Sequence, residues 1–127
     1  MSDKSVVQKL FLRENNRFML LNAPPGYRES LGALPAGVEV TGEISGEADV
    51  IQVFATMQED LQRQIAGLKN ALIPKGILWV TYPKGGSKIR TDLNRDILFA
   101  LLQPLGLQAV AMFAVDADWS AMRFKKI

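Results

Sequence analysis

The chain has 127 residues, 48% of them hydrophobic and 22% charged, with a formal net charge of +2. This is one domain with enough apolar surface to build a core without staples. There is no cysteine and no histidine. Disulfides, thiolate nucleophiles, cysteine-ligated metals and the usual imidazole base near neutral pH are thereby excluded, and any catalysis would fall to carboxylates, lysine, tyrosine, serine or threonine.

The opening MSDKSVVQKLFLRENNR has no long apolar core and no cleavage site, so it does not read as a signal peptide. Val6 to Leu12 predicts a short helix with Val6, Val7, Leu10 and Phe11 on one face. ENN turns the chain into a first strand, Arg17 to Leu21, followed by the proline-bearing loop NAPPGY. Gly26 to Leu34 holds at most a short helix. VEVTGEI alternates weakly, as a short or edge strand would. SGEA breaks it, and Asp49 to Thr56 predicts a second good strand. SGEA is too short for a helical crossover. Either the preceding strand is very short and the chain returns extended, or the pairing there is not parallel.

Met57 to Leu72 is the clearest helix, with Leu61, Ile65, Leu68 and Leu72 at helical spacing. Pro74-Lys75-Gly76 ends it. Ile77 to Tyr82, nearly all apolar, reads as a central parallel strand buried on both faces. A basic loop, PKGGSKIR, follows. Thr91 or Asp92 is then placed to cap a helix carrying Leu93, Ile97, Leu98 and Leu101. The stretch Ile97 to Val115 has no charge and the length of a bilayer span, but Pro104 and Gly106 break it. A helix followed by a strand explains it, no membrane segment is expected, and the protein is expected in the cytoplasm. DADWS turns into a last strand, with Met122 and Phe124 on one face and Arg123 and Lys125 on the other.

Strands alternating with helices predict a three-layer α/β domain, spanning residues 1–127, whose mostly parallel sheet ends in an antiparallel C-terminal hairpin. Phe18, Leu20, Val50, Val53, Leu61, Ile65, Leu78, Val80, Leu98, Leu101, Val110 and Met112 are the expected core.

This order resembles the class I S-adenosylmethionine (SAM)-dependent methyltransferase fold. ALIPKGILWVTYPKG is similar to the helix–LKPGG–strand passage of those enzymes, ADVIQVFAT to the strand before it, and Leu107 to Lys126 to their closing hairpin. LLNAPPGY, GALPAGVEV, LWVTYPKGGS and TDL resemble a family of small uncharacterised bacterial proteins, itself similar to a truncated methyltransferase. The resemblance implies the fold and no particular activity. In the enzymes an acidic residue and a G-x-G-x-G loop follow the first strand, and the glycines let backbone approach the cofactor. Here Asn22 replaces the acid, Pro24 and Pro25 supply no N–H, and only Gly26 remains. Glu43 is the one candidate for the ribose-binding acid, beside the reading of a solvated surface charge.

Ligands of open parallel sheets bind beyond the carboxyl ends of the strands, where strand order reverses. If the sheet follows the methyltransferase order, Asn22, Tyr27, Thr56, Lys84, Ser87 and Lys88 converge on one crevice and form the candidate ligand site. The charges point the same way. Every charge from Glu39 to Asp60 is negative and every charge from Arg63 to Arg90 is positive. That is either two solvated surfaces or a local field for an anion. KGGSK does not have phosphate-loop spacing. The neighbouring acidic segment argues against a nucleic-acid track. No metal site is expected, since Asp116 and Asp118 fit a polar hairpin turn. The leading reading is a non-catalytic protein on a degenerate methyltransferase-like scaffold, binding an anionic small molecule or an acidic protein partner. In this reading SAM is a possible but disfavoured cofactor. The alternative is a small SAM-dependent methyltransferase with an atypical cofactor loop.

Overall fold

The computed structural model describes residues 4–127. Six strands form one sheet: β1 (Arg17–Leu21), β2 (Glu39–Thr41), β3 (Ala48–Phe54), β4 (Leu72–Pro83), β5 (Leu107–Ala114) and β6 (Trp119–Lys126). Their order across the sheet is β2-β1-β3-β4-β6-β5. The first four are parallel, and β6 runs antiparallel to both β4 and β5. Helices α1 (Val6–Lys9) and α2 (Tyr27–Ser30) are single turns, whereas α3 (Gln58–Ala71) and α4 (Arg95–Leu102) are longer.

The two-residue period of the strands sorts the core into two layers. Met19, Leu21, Ile51, Val53, Leu78 and Val80 face α3 and α4, packing with Leu61, Leu68, Leu98 and Leu102. Phe18, Leu20, Val50, Phe54 and Trp79 face the other way, against Val7 and Leu10 near α1 and Tyr27 and Leu31 near α2. The architecture is therefore the three-layer, mostly parallel α/β fold with a C-terminal antiparallel hairpin.

The crossing from β2 to β3 resolves as a very short strand and an extended return. β2 pairs only with Arg17 to Met19. Residues 42–47 are exposed, and Ile44 reaches Gly67 on α3, within 3.6 Å of where a Cβ would stand. Gly76 has a structural reason of its own. A Cβ there would lie 2.6 Å from Leu72 Cδ1 and 3.0 Å from the Asp49 carbonyl oxygen. The segment expected to end α3 thus continues directly into β4, where the pairing with β3 shifts register between Ala48 and Val50.

Most of the expected core is buried, with three corrections. Leu101 is only half-buried, while Val110 and Met112 are 43% and 47% exposed. β5 lies at the sheet edge, and its pairing shifts register between Ala109 and Ala111. An edge strand with a bulge turns side chains to solvent that an interior strand would bury. The uncharged stretch Ile97 to Val115 is the end of α4, a 3₁₀ turn at Gln103–Leu105 and β5. Among the described residues no helix is long and apolar enough to cross a membrane.

Candidate functional site

The chain leaves β1 for β2 on one side and later enters β3 on the other, so strand order reverses between β1 and β3. Asn22 stands at this point. Its backbone is left-handed, with φ 60°, a conformation asparagine tolerates better than most residues. Its side-chain amide donates to the Phe54 carbonyl (3.3 Å) and to Gln64 Oε1 on α3 (3.0 Å). One side chain thus ties the end of β1 to the end of β3 and to the helix that follows.

Beside it is a cavity of about 390 Å³. Asn22, Thr56 and Gln64 contribute polar groups, Phe54 and Trp119 an aromatic wall, and Asp60 and Arg63 opposite charges. Arg63 reaches Asp60 at 3.1 Å and Glu59 at 3.3 Å. The wall is braced from behind, because Tyr27 packs edge-on against Phe54 at 4.7 Å and Phe54 against Trp119 at 5.0 Å.

Tyr27 itself belongs to the core. It is buried, and its hydroxyl donates to Gln52 Oε1 (2.9 Å), whose amide donates to Thr81 Oγ1 (3.1 Å). Burial pushes the Tyr27 pKa up to about 12; the Gln52 bond opposes the rise and nearby Asp116 adds to it. Gln52 and Thr81 are both fully buried. Their role was not anticipated, although a lone glutamine inside DVIQVFAT is a signal that something must satisfy it.

The basic loop turns elsewhere. The Lys84 N–H donates to the Asp118 carbonyl (3.0 Å), and Ser87 Oγ donates to the Asp118 carboxylate (3.2 Å). Asp116 closes the hairpin turn by accepting from the N–H groups of Asp118 and Trp119. A second cavity of about 540 Å³ opens beyond β4, between this loop and the start of α4. Lys84, Ser87, Arg95, Tyr82 and Met112 line it. Thr91 and Asp92, expected to cap α4, instead bond the β3 exit. The Thr91 hydroxyl and Asp92 N–H donate to the Thr56 carbonyl, and Asp92 Oδ1 accepts from the Gln58 N–H (2.7 Å). Asn94 is the cap, accepting from the Ile97 N–H at 2.9 Å.

The six candidate residues therefore do not share one crevice. Asn22 and Thr56 line the first cavity, Lys84 and Ser87 the second, Tyr27 lies in the core, and exposed Lys88 lines neither. Glu43 sits in an exposed turn beside Thr41 and lines neither cavity. Arg63, Gln64, Arg95 and Trp119 are the additions, and their place depends on helix phase and hairpin length rather than on any motif.

No protein-family model matches the chain, and no curated protein matches it. Solved structures do. A TehB-like SAM-dependent methyltransferase from Corynebacterium glutamicum ATCC 13032 Kitasato superposes with a TM-score of 0.63 at 12% identity, covering 97% of this chain and 86% of that one. Magnesium protoporphyrin IX methyltransferase (ChlM) from Synechocystis PCC 6803, with bound S-adenosylhomocysteine (SAH), gives 0.65 at 12% identity, covering 97% and 80%. The DhpI–SAH complex gives 0.66 at 10% identity, covering 96% and 82%. With its closing antiparallel hairpin and its reversal between β1 and β3, the chain has the class I methyltransferase fold.

Proposed function

We propose that the protein binds an S-adenosyl compound in the Asn22–Trp119 cavity, as a small methyltransferase that holds its cofactor without a glycine-rich loop. One observation carries this reading. The cavity at the strand-order reversal combines an aromatic wall with a carboxylate and a guanidinium. Asp60 and Arg63 complement a group bearing both an ammonium and a carboxylate, as the methionyl end of SAM does. The faces of Phe54 and Trp119 suit a sulfonium cation and a planar base. The amides of Asn22 and Gln64 can both donate and accept. These residues fit the polar end of the cofactor. The loop fits less well, because Pro24 and Pro25 offer no N–H groups to it.

When bound, SAM supplies an electrophilic methyl group on sulfur. The chain's own part is to hold the amino-acid end at Asp60 and Arg63 and to keep water from the aromatic wall. Lacking the loop's backbone donors, it binds weakly for this fold. Fold similarity at this identity supports the scaffold and not the reaction.

A second reading is a non-catalytic binding protein on the same scaffold. It is favoured by the Asn22 amide, which spans the very point where the enzymes' loop opens. Calorimetric titration with SAM and SAH separates the two. A dissociation constant tighter than about 100 μM, roughly −5.5 kcal/mol, that weakens at least ~10-fold in Trp119→Ala and Arg63→Ala supports the first reading. Absence of binding at millimolar cofactor leaves the second.

A further inference from the structure

The second cavity raises a separate question, independent of SAM. Arg95 and Lys84 line it. Among the described residues neither forms an ion pair with a carboxylate within 4.0 Å. Lys84 is nonetheless half-buried. A cation drawn partly out of water without an ion-pair partner is a cost that a bound anion would relieve. The cavity also holds a polar group with a poor partner. Tyr82 is 6% exposed, and its hydroxyl donates to Met112 Sδ at 3.3 Å. A thioether is a weak acceptor, and the phenol oxygen's lone pairs remain for a donor or a polar ligand. Burial raises the Tyr82 pKa, and the charge of Arg95, which lines the same cavity, opposes the rise. The start of α4 adds the positive end of its dipole. One carboxylate, Asp96 in the first turn of α4, lines the cavity beside the two cations, and Asp118 outside the lining is engaged by Ser87.

The remaining lining is mixed: Ser87, Thr91 and Asn94 are polar, while Tyr82, Ile89, Leu93 and Met112 form an apolar side. We infer that this cavity is a binding site for a small organic anion. Its carboxylate or phosphate group lies between Lys84 and Arg95, and its apolar body rests against Tyr82 and Met112. Two cations against one carboxylate, Asp96, set the sign of the ligand's charge, and the apolar side formed by Tyr82, Ile89, Leu93 and Met112 favours an organic body over a bare inorganic ion.

The test uses phenyl phosphate, benzoate, inorganic phosphate and, as a neutral control, benzyl alcohol, titrated into the full chain by calorimetry and by amide-resolved NMR. Phenyl phosphate or benzoate should bind saturably at about 1 mM or tighter, and inorganic phosphate and benzyl alcohol at least ~5-fold more weakly. Which of the two organic anions binds better identifies the charged group. Shifts should concentrate at Gly85, Gly86 and Asn94 to Asp96. Lys84→Ala with Arg95→Ala should weaken binding at least ~10-fold, and Tyr82→Phe about 3-fold, with unchanged circular dichroism. Three results would overturn the inference: no saturable binding of either organic anion up to about 10 mM, a double variant that binds like the parent, or shifts confined to Asn22, Gln64 and the Trp119 indole.

Discussion

The two cavities beyond the carboxyl ends of the parallel strands are built on opposite principles. Around the first, polar groups are partnered within the chain. Asn22 holds Phe54 and Gln64, Arg63 holds Asp60 and Glu59, and the aromatic wall leans on a tyrosine whose hydroxyl ends in the buried Tyr27–Gln52–Thr81 chain. Around the second, Lys84 and Arg95 form no ion pair with a carboxylate among the described residues, and Tyr82 rests on sulfur. The first arrangement fixes a shape before any ligand arrives. The second leaves charge to be answered. Tyr27 and Tyr82 report the difference, since they are comparably buried yet bonded to very different acceptors.

The largest effect expected from that contrast is alkaline. Tyr27 is held up to about 12, against 10.0 for an ordinary tyrosine. A phenol that ionises less readily in the folded chain stabilises it fully below pH 10, and that contribution disappears as the pH rises through about 12. The shift corresponds to something on the order of 2–3 kcal/mol. Urea unfolding at about pH 9 and about pH 11.5 should show the loss, and Tyr27→Phe should flatten it. A Tyr27→Phe variant with the parent's full pH dependence would assign the effect elsewhere.

At neutral pH the same tyrosines should separate by mutation. Tyr27→Phe deprives buried Gln52 of its hydroxyl donor and should cost about 1–3 kcal/mol. Tyr82→Phe gives up only a bond to sulfur and should stay within about 0.5 kcal/mol. Equal costs in chemical denaturation would erase the distinction between the two walls.

These differences were only partly legible in the chain. Strand alternation sorts Phe18 from Met19 and Val50 from Ile51, because period two fixes which residues share a face. It does not say which strand is outermost, so Val110 and Met112 look like core until β5 is placed at the edge. Helical spacing finds α3 through Leu61, Ile65 and Leu68, but a hydrogen bond decides α4's start. Asn94, rather than Thr91 or Asp92, caps it, because those two are drawn to the Thr56 carbonyl and Gln58 N–H across the sheet. That contact joins a lining residue of each cavity, Thr56 and Thr91, and is one physical reason a single expected crevice became two. Asn22 was visible as the odd residue in the loop. Its tie to Gln64, 42 positions away, depends on where α3 docks, which no local pattern encodes.

A smaller effect is expected at Asn22. Its left-handed backbone costs an alanine roughly 1–2 kcal/mol, a cost that glycine largely avoids. Both substitutions also remove the amide bonds to Phe54 and Gln64. Thermal unfolding should therefore rank the parent above Asn22→Gly and Asn22→Gly above Asn22→Ala. Equal Gly and Ala variants would mean that backbone strain is irrelevant there and that the side-chain tie alone holds the switch point.

The smallest effect belongs to the second cavity without ligand. Lys84 and Arg95 form no ion pair among the described residues, so Lys84→Ala and Arg95→Ala should each leave stability within about 0.5 kcal/mol of the parent. The sign is informative. Both cations face one pocket and the helix end beside it is positive, so removing either relieves repulsion, and any change should be slightly stabilising at low salt. Raising ionic strength from about 20 mM to about 300 mM shortens the screening distance to under 10 Å and should shrink the gain. The double variant should then exceed the sum of the singles by nothing at high salt, and should fall short of it at low salt, because removing one cation already removes their mutual repulsion. If both singles are instead destabilising, Lys84 and Arg95 have carboxylate partners in solution, most simply Asp118 and Asp96, and the second cavity is as internally satisfied as the first.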